Sequence, residues 1–288
     1  MTSVQFASRT IDLPTVRLHY VEAPADAPIL LLLHGIGVDW RVWQSIGRRL
    51  QPYFHLYALD LRGHGQSEKP LHGYSLADYA ADIESFLDQL ELQDVTLVGS
   101  SLGGLISCVV EASTAVIPGR ILVDPPLTWR PAASRALFEA ILRIKSEELA
   151  PEEQSRQLSD ALTEDNPQIG GLQRAYLTKT WSVVPPVVLR DMLAESAGGW
   201  LPRLLPHLET IESPVLIMRA NPELGGVLME EAAATAAAAL PRGSLEYFAK
   251  AGHAIHGTRP LAFLDSVLRF TQEVQRPPTQ PLPASVKA

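Results

Sequence analysis

A serine that could act as a nucleophile lies at the centre of the pentapeptide Gly99-Ser100-Ser101-Leu102-Gly103. The apolar residues 95–98 precede it, and an apolar helical pattern follows at 105–110. A serine on a sharp strand-to-helix turn needs small neighbours, because the turn is strained and its flanks approach closely. The helix N-terminus would also favour a developing negative charge. The pattern predicts a nucleophilic Ser101; the alternative is a plain glycine-rich turn.

A histidine that could serve as the base follows the last predicted strand, in Gly252-His253-Ala254-Ile255-His256. An imidazole within hydrogen-bond reach suits proton transfer from a serine at neutral pH. His253 and His256 have the H-x-x-H spacing of metal ligands, but a third ligand is missing and the segment is no HExxH helix. We therefore predict His253 as the base and His256 as an ordinary polar residue on the following turn.

The segment His34-Gly35-Ile36-Gly37 follows the apolar residues 29–33. Acyl transfer needs two N–H donors aimed at the oxyanion of the tetrahedral intermediate. A glycine-lined turn at a strand end can supply one donor from Ile36, and Leu102 after the nucleophile can supply the other. A tight turn without this role is the alternative.

The elements that must position these residues alternate along the chain. Seven short apolar segments predict strands, at 16–22, 29–33, 56–61, 95–99, 121–124, 215–219 and 245–249. Helical patterns lie between them, including one that begins after an N-cap at Ser75 and others at 229–240 and 261–274. Strands without internal alternation are typical of a sheet covered on both faces. The order predicts a doubly wound, mostly parallel α/β sheet.

This alternation is interrupted once, between Asp124 and Val215, by helical sequence punctuated with prolines. Ligands bind such folds at the carboxyl ends of the strands, so we expect the insert to form a helical cap over the site. The predicted division is a core of residues 1–124 and 208–275, a cap of residues 125–207 and a disordered tail of residues 276–288.

The composition excludes several classes of function. The 288 residues are 46% hydrophobic and 19% charged, with a formal net charge of −8 and one cysteine, Cys108. The acidic balance and the lack of a basic stripe argue against nucleic acid or an anionic membrane as partners. One cysteine excludes an internal disulfide, and the first residues lack the pattern of a targeting signal. We expect a cytoplasmic globular protein.

Four motifs in this order resemble the α/β-hydrolase fold, in its capped branch of epoxide-hydrolase-like and esterase-like enzymes. They are HGIG at 34–37, DLRGHGQS at 60–67, GSSLGG at 99–104 and AGHAIH at 251–256. The resemblance implies that Ser101 is the nucleophile, His253 the base, and Ile36 with Leu102 the oxyanion hole. It also implies that Asp60 and Arg62 hold a loop together. Epoxide hydrolases and haloalkane dehalogenases carry an aspartate where this chain has Ser101, which disfavours those two activities.

The acid that completes the triad has two candidates. The family commonly places it after the strand at 215–219, where this chain has alanine for the usual glycine and Glu223 for the usual aspartate. Some members place it one strand earlier, where Asp124 is stiffened by Pro125-Pro126. Either carboxylate could hold the imidazole tautomer. We prefer Asp124 slightly, because its position is more rigid.

These residues predict a serine hydrolase that cleaves a small-molecule carboxylic ester or lactone through an acyl-enzyme, with no metal or organic cofactor. The alternatives are a C–C bond hydrolase or perhydrolase with the same triad, or a ligand receptor with little turnover. Aromatic residues of the cap, among them Trp129 and Trp181, suggest an apolar or aromatic substrate, unless they pack only the cap's own core.

Overall fold

The apolar segments of the chain pair into one eight-stranded sheet. The computed structural model describes residues 6–111, 116–128, 133–197 and 199–274. Its strands are β1 (Ala7–Asp12), β2 (Arg17–Ala23), β3 (Ile29–Leu33), β4 (His55–Leu59), β5 (Val95–Ser100), β6 (Arg120–Val123), β7 (Val215–Ala220) and β8 (Gly243–Phe248).

The strands follow the order β1-β2-β4-β3-β5-β6-β7-β8 across the sheet. The pairs β1–β2 and β2–β4 are antiparallel, and all pairs from β4 to β8 are parallel. The predicted mostly parallel α/β architecture is therefore confirmed. Strand β1 was not predicted, because most of its residues are exposed at the edge of the sheet and carry no apolar pattern.

Helices lie on both faces of the sheet. They are α1 (Gln44–Leu50), α2 (Leu76–Gln89), α3 (Leu102–Val109), α4 (Ala133–Ser146), α5 (Pro151–Asp165), α6 (Gly171–Val183), α7 (Pro186–Glu195), α8 (Leu201–Thr210), α9 (Glu230–Ala239), α10 (Ile255–Thr258) and α11 (Pro260–Val274). The predicted N-cap at Ser75 forms a capping box with Asp78, which stabilises α2 by about 1 kcal/mol. Among the described helices, none combines the length and apolarity that crossing a membrane requires.

The core is divided by the sheet into two apolar layers. Leu31 and Leu33 of β3 face the layer that includes α2 and α3, whereas Leu30 and Leu32 face the layer that includes α1 and α11. Successive side chains of a strand point to opposite faces. A continuous apolar run is therefore the pattern that a strand buried on both faces requires.

The helical insertion between β6 and β7 has two parts. Helices α4, α5, α6 and α7 pack on one another, whereas α8 packs on α3 and α9 of the main body. The cap that we expected at 125–207 therefore includes α8 residues that lie against the core, and we propose that the cap proper ends before α8. The predicted tail at 276–288 lies outside the described residues.

The two ends of the insertion lie side by side, which predicts that it can be removed. The Leu127 carbonyl accepts hydrogen bonds from the backbone N–H groups of Trp200 and Leu201, at 3.0 and 2.7 Å. We expect a chain in which a short glycine-serine linker replaces residues 129–198 to remain soluble and to unfold cooperatively, as measured by circular dichroism on heating. If every linker length gives insoluble protein while the full chain is soluble, the insertion belongs to the main core.

Candidate active site

Ser101 lies on a strained turn between β5 and α3. Its φ and ψ angles are 54° and −115°, a conformation that residues other than glycine rarely adopt. The turn is stabilised by a hydrogen bond from the Ser101 N–H to the Val123 carbonyl (3.0 Å). Strain of this kind is maintained only where the surrounding structure enforces it, and it is concentrated at functional sites.

The glycines of the pentapeptide permit close backbone contacts. A Cβ atom at Gly99 would lie 2.1 Å from the carbonyl oxygen of Gly103, and one at Gly103 would lie 2.3 Å from that of Leu33. Neither contact can be relieved by a side-chain rotation, because the obstructing atoms are backbone. The small neighbours that such a turn requires are thus explained by the packing of α3 against β3 and β5.

His253 is paired with Asp124. The imidazole Nδ1 donates to Oδ2 of the carboxylate at 2.8 Å, and the Asp124 side chain is fully buried. The same carboxylate accepts hydrogen bonds from the N–H groups of Ala220 (3.0 Å) and Val227 (2.8 Å). Burial by itself would raise the pKa of Asp124, but the bonds from His253 and the two backbone N–H groups outweigh it and lower the pKa. The acid is therefore held as a carboxylate.

Glu223, the other candidate acid, forms no hydrogen bond or ion pair with His253 among the described contacts. It is an exposed residue of a short 3-10 turn (Pro222–Leu224), where its backbone N–H donates to the Asn221 side chain. Of the two candidate acids, the structure brings Asp124 to the histidine. Asp124 directly follows β6 and is fixed by backbone N–H donors of the neighbouring segment, a source of rigidity that the sequence did not indicate.

Ser101, Asp124 and His253 follow β5, β6 and β8, at the carboxyl edge of the sheet. The described contacts include no hydrogen bond between the Ser101 hydroxyl and His253. With Nδ1 bound to Asp124, Nε2 is the nitrogen left to meet the serine. In unliganded sites the catalytic hydrogen bonds are often long, and they shorten when substrate binds.

Two backbone donors flank the serine. The loop after β3 approaches so closely that a Cβ atom at Gly35 would lie 3.1 Å from Cβ of Ser101. Within the described part of the chain, the N–H groups of Ile36 and Leu102 donate to no acceptor. Free N–H groups beside a nucleophile can bind an oxyanion.

His34 holds this loop in place, a role that its position in the sequence did not indicate. Its ring is completely buried; Nδ1 donates to the Gly35 carbonyl at 2.7 Å, and Nε2 accepts from the Leu61 N–H at 3.0 Å. Burial lowers the pKa of His34, so that the ring stays neutral and can both donate and accept. It thereby ties the loop after β3 to the DLRGHGQS segment.

The DLRGHGQS segment is built around two buried acids. Asp60 accepts from the N–H groups of Trp40 (2.8 Å) and Gln66 (2.9 Å), and Arg62 donates to Asp82 at 2.6 Å. These contacts hold the loop together, as the family resemblance implied.

His256 was expected to be an ordinary polar residue on a turn, and this prediction was wrong. It lies in α10 and is buried, with its ring 4.4 Å from that of Trp43 and 6.0 Å from that of Phe263. Burial, together with the nearby His253, lowers its pKa to about 3, so it packs as a neutral aromatic ring. Over the described ranges, no three His, Cys, Asp or Glu side chains come together as metal ligands.

The insertion contacts the loop that bears Ile36. A Cβ atom at Gly37 would lie 2.1 Å from the indole ring of Trp181 on α6, and the Tyr176 hydroxyl donates to Asp39 at 2.9 Å. Trp181 is buried in this contact. Trp129, the other tryptophan expected to contact substrate, lies outside the described residues.

A small cavity of about 10 Å³ lies beside Ile36 and Leu102. Ile36, Leu102 and Trp200 line it, whereas Trp181 does not, because the Trp181 ring is packed on Gly37. Its remaining walls are Tyr74, Leu76, Tyr79, Val188, Met192 and Glu195. This space is far below the roughly 300–1,000 Å³ of sites for drug-sized ligands and matches a single water molecule.

The contact between Gly37 and Trp181 predicts that Gly37→Ala impairs the site. The new methyl group would overlap the indole, and φ of +74° is also unfavourable for alanine. Displacement of one oxyanion donor is expected to lower kcat about 10²-fold or more in a hydrolysis assay. Gly225→Ala is the matched control, because Gly225 has φ of +93° with nothing within 4 Å of its Cβ position. Equal effects of the two substitutions would show that backbone strain, and not the indole contact, is responsible.

Comparison with known proteins places this fold in a family. The model of the alpha/beta hydrolase family matches residues 30–266. An uncharacterised protein of Mycobacterium bovis is 30% identical over 84% of this chain and 75% of its own length. The 2-(acetamidomethylene)succinate hydrolase of Mesorhizobium japonicum is 28% identical over 77% of this chain and 80% of its own. The crystal structure of the esterase RhEst1 from Rhodococcus sp. ECU1013 superposes with a TM-score of 0.73 at 23% identity, covering 93% of this chain and 99% of that one.

Proposed function

We propose a serine-esterase reaction for this chain, which belongs to the alpha/beta hydrolase family. The substrate is a carboxylic ester or lactone. The observation that carries this proposal is the hydrogen bond between His253 and the buried Asp124, at the same edge of the sheet as Ser101.

The reaction proceeds through an acyl-enzyme. The Ser101 hydroxyl oxygen attacks the carbonyl carbon while Nε2 of His253 takes the hydroxyl proton. Asp124 holds the proton on Nδ1 and stabilises the imidazolium that forms. The N–H groups of Ile36 and Leu102 donate to the oxyanion. As the tetrahedral intermediate collapses, the C–O bond breaks and the leaving alcohol takes the proton from Nε2.

Hydrolysis of the acyl-enzyme repeats these steps with water. His253 removes a proton from water as its oxygen attacks the acyl carbon, and the proton then passes to the Ser101 oxygen as the bond to it breaks. Free carboxylic acid and free enzyme result.

The type of nucleophile distinguishes the proposed reaction from the reactions of several relatives. Epoxide hydrolase 4 of mouse and a haloalkane dehalogenase of Mesorhizobium japonicum match parts of this chain, at 38% identity over 33% and 43% of it. Both activities use an aspartate nucleophile in this fold, and an alkyl-enzyme ester formed on aspartate has no counterpart at Ser101. A serine supports attack on an acyl carbon instead.

The cavity distinguishes the proposal from the reaction of the Mesorhizobium succinate hydrolase. The name of that enzyme describes a dicarboxylate substrate. Of the described residues that line the cavity here, Glu195 is charged and none is cationic. A second carboxylate would meet no cation on these walls, so we do not assign the substrate of that enzyme to this chain.

A substrate panel tests the proposed reaction. We expect the purified protein to hydrolyse short-chain aryl acetates or small lactones, with release of acid measured by titration at constant pH. Vinylogous diketones, as substrates for C–C cleavage, form the comparison. Turnover of the diketones without turnover of any ester or lactone would assign the same triad to C–C hydrolysis, and turnover of neither would favour a ligand receptor.

A further inference from the structure

The last strand of the sheet has one unpaired edge. β8 pairs with β7 on one side, and no described strand pairs with it on the other. The Val215 N–H donates to the Arg242 carbonyl at 3.0 Å, so the even-numbered residues of β8 direct their backbone groups toward β7. Because this direction alternates along a strand, the backbone groups of Gly243, Leu245 and Tyr247 point outwards.

Most of these outward groups have no partner within the described part of the chain. The Gly243 N–H donates to the Leu240 carbonyl at 3.3 Å. The Gly243 carbonyl and the N–H and C=O groups of Leu245 and Tyr247 form no hydrogen bond with the described residues. Such a row of unpaired backbone groups is a template for another strand.

The side chains on this edge do not protect it. Leu245 and Tyr247, two positions apart on one face of β8, are 42% and 48% exposed. Natural sheets protect a free edge with charged side chains, prolines or bulges. β1, at the opposite edge, has exposed polar residues, among them Arg9 and Asp12. Large exposed apolar side chains beside unpaired backbone groups indicate that another strand covers the β8 edge.

A second copy of the chain fits this edge better than the end of the same chain does. Residues 275–288 include four prolines, which cannot donate to a ladder of backbone hydrogen bonds. A second copy brings a strand of equal length whose outward groups have the same spacing.

We propose that β8 pairs with β8 of a second copy of this chain, in an antiparallel dimer with its two-fold axis at Leu245. In this register Leu245 lies opposite its own counterpart, and Gly243 lies opposite Tyr247 of the other copy. A two-fold axis requires an interface of this self-complementary kind. The two eight-stranded sheets then form one continuous sheet. The inference does not depend on the proposed esterase function.

This register satisfies the outward groups. The two copies of Leu245 exchange two hydrogen bonds, and each Tyr247 N–H donates to a Gly243 carbonyl of the other copy. Gly243 has no side chain, which leaves space for the tyrosine ring opposite it. On the other face, Ser244 lies opposite Glu246, so a hydroxyl group faces each carboxylate.

Other registers are less favourable. An axis at Glu246 would place two carboxylates directly opposite each other. An axis at Gly243 or Ser244 would place Pro241, which has no N–H, opposite an outward residue of the other copy. An axis at Tyr247 would leave Gly243 beyond the end of the opposite strand.

Sedimentation velocity of the full chain tests the dimer. We expect the wild type to have twice the mass of one chain in the micromolar range. Leu245→Lys is expected to be monomeric, because two like charges would meet on the axis. Leu172→Lys is the matched control, since Leu172 is 92% exposed on α6, away from β8. A monomeric wild type, or the same association state in both variants, would overturn the proposal.

A mixture of two variants tests the register. Leu245→Glu alone is expected to be monomeric, as Leu245→Lys is, with a thermal unfolding midpoint close to that of the wild type. Because residue 245 faces its own counterpart, mixing the two variants is expected to restore a dimer. Two folded monomeric variants that do not associate when mixed would overturn the proposal. A monomeric full chain that dimerises only after residues 275–288 are removed would also overturn it, and would assign the edge to that segment.

Discussion

Replacement of Ser101 by alanine is expected to lower ester turnover by about 10⁶-fold, the loss typical of removing a serine nucleophile. Without the hydroxyl no acyl-enzyme forms, and the remaining rate reflects substrate binding and the oxyanion hole alone. The fold is expected to survive, because alanine differs from serine by one oxygen atom, and the hydroxyl forms no hydrogen bond with the described residues. Initial rates on the best ester of the panel, with the thermal unfolding midpoint as a check on folding, give the measurement.

Ser100→Ala is the control for this substitution. Ser100 precedes the nucleophile as the last residue of β5 and is buried. We expect the Ser100 variant to retain most of its activity. A severe loss in Ser100→Ala with activity retained in Ser101→Ala would show that the nucleophile has been assigned one position too late.

The second large effect is expected at Asp124. Asp124→Asn is predicted to lower kcat by about 10⁴-fold, because an amide NH₂ facing Nδ1 favours the wrong imidazole tautomer and cannot stabilise the imidazolium. The backbone at Asp124 has φ of 46°, a left-handed conformation that asparagine tolerates as well as aspartate does. The new NH₂ group would also face the Val227 N–H, which donates to the same oxygen as His253, so we expect a loss of stability of about 1–3 kcal/mol beside the larger loss in kcat.

Glu223→Gln provides the comparison. Because Glu223 is exposed and its backbone, not its carboxylate, takes part in the local turn, we expect a change of about tenfold or less. Similar mild effects of the two substitutions would contradict the assignment of Asp124. A large loss confined to Glu223→Gln would transfer the role to the loop after β7.

Much of the fold could be predicted because its strands obey a simple rule. Residues 29–33 must be apolar throughout, since alternate side chains enter two different apolar layers. The pentapeptide around Ser101 was equally informative, because Gly99 and Gly103 face backbone atoms that exclude any side chain. In both cases local sequence and tertiary packing impose the same requirement.

Other features depend on contacts between distant segments and leave no local pattern. Trp181 packs on Gly37, more than a hundred positions earlier in the chain, so its role could not be distinguished from contact with a substrate. The packing of α8 on α3 and α9 could not be predicted either. The apolar side of α8 would suit packing within a cap equally well. The choice between Asp124 and Glu223 needed the position of His253, which sequence spacing does not give.

The structure contains a second Ser–His–Asp array, so the identity of the nucleophile needs a direct measurement. Ser8 Oγ lies 2.9 Å from Nε2 of His19, whose Nδ1 lies 2.8 Å from Oδ2 of the buried Asp60. Ser8 is part of the extended edge strand β1, not of a strained turn at a helix N-terminus. It does not lie at a helix N-terminus as Ser101 does, and we assign it a structural role.

Covalent labelling tests the central claim most directly. The wild-type protein is treated with a fluorophosphonate, digested and analysed by mass spectrometry to locate the modified serine. We predict one adduct, on Ser101, formed at a rate that falls sharply in Asp124→Asn and absent in Ser101→Ala. Modification of Ser8 or Ser100 in place of Ser101, or no modification of a folded protein, would contradict the assignment of Ser101, His253 and Asp124 as a catalytic triad.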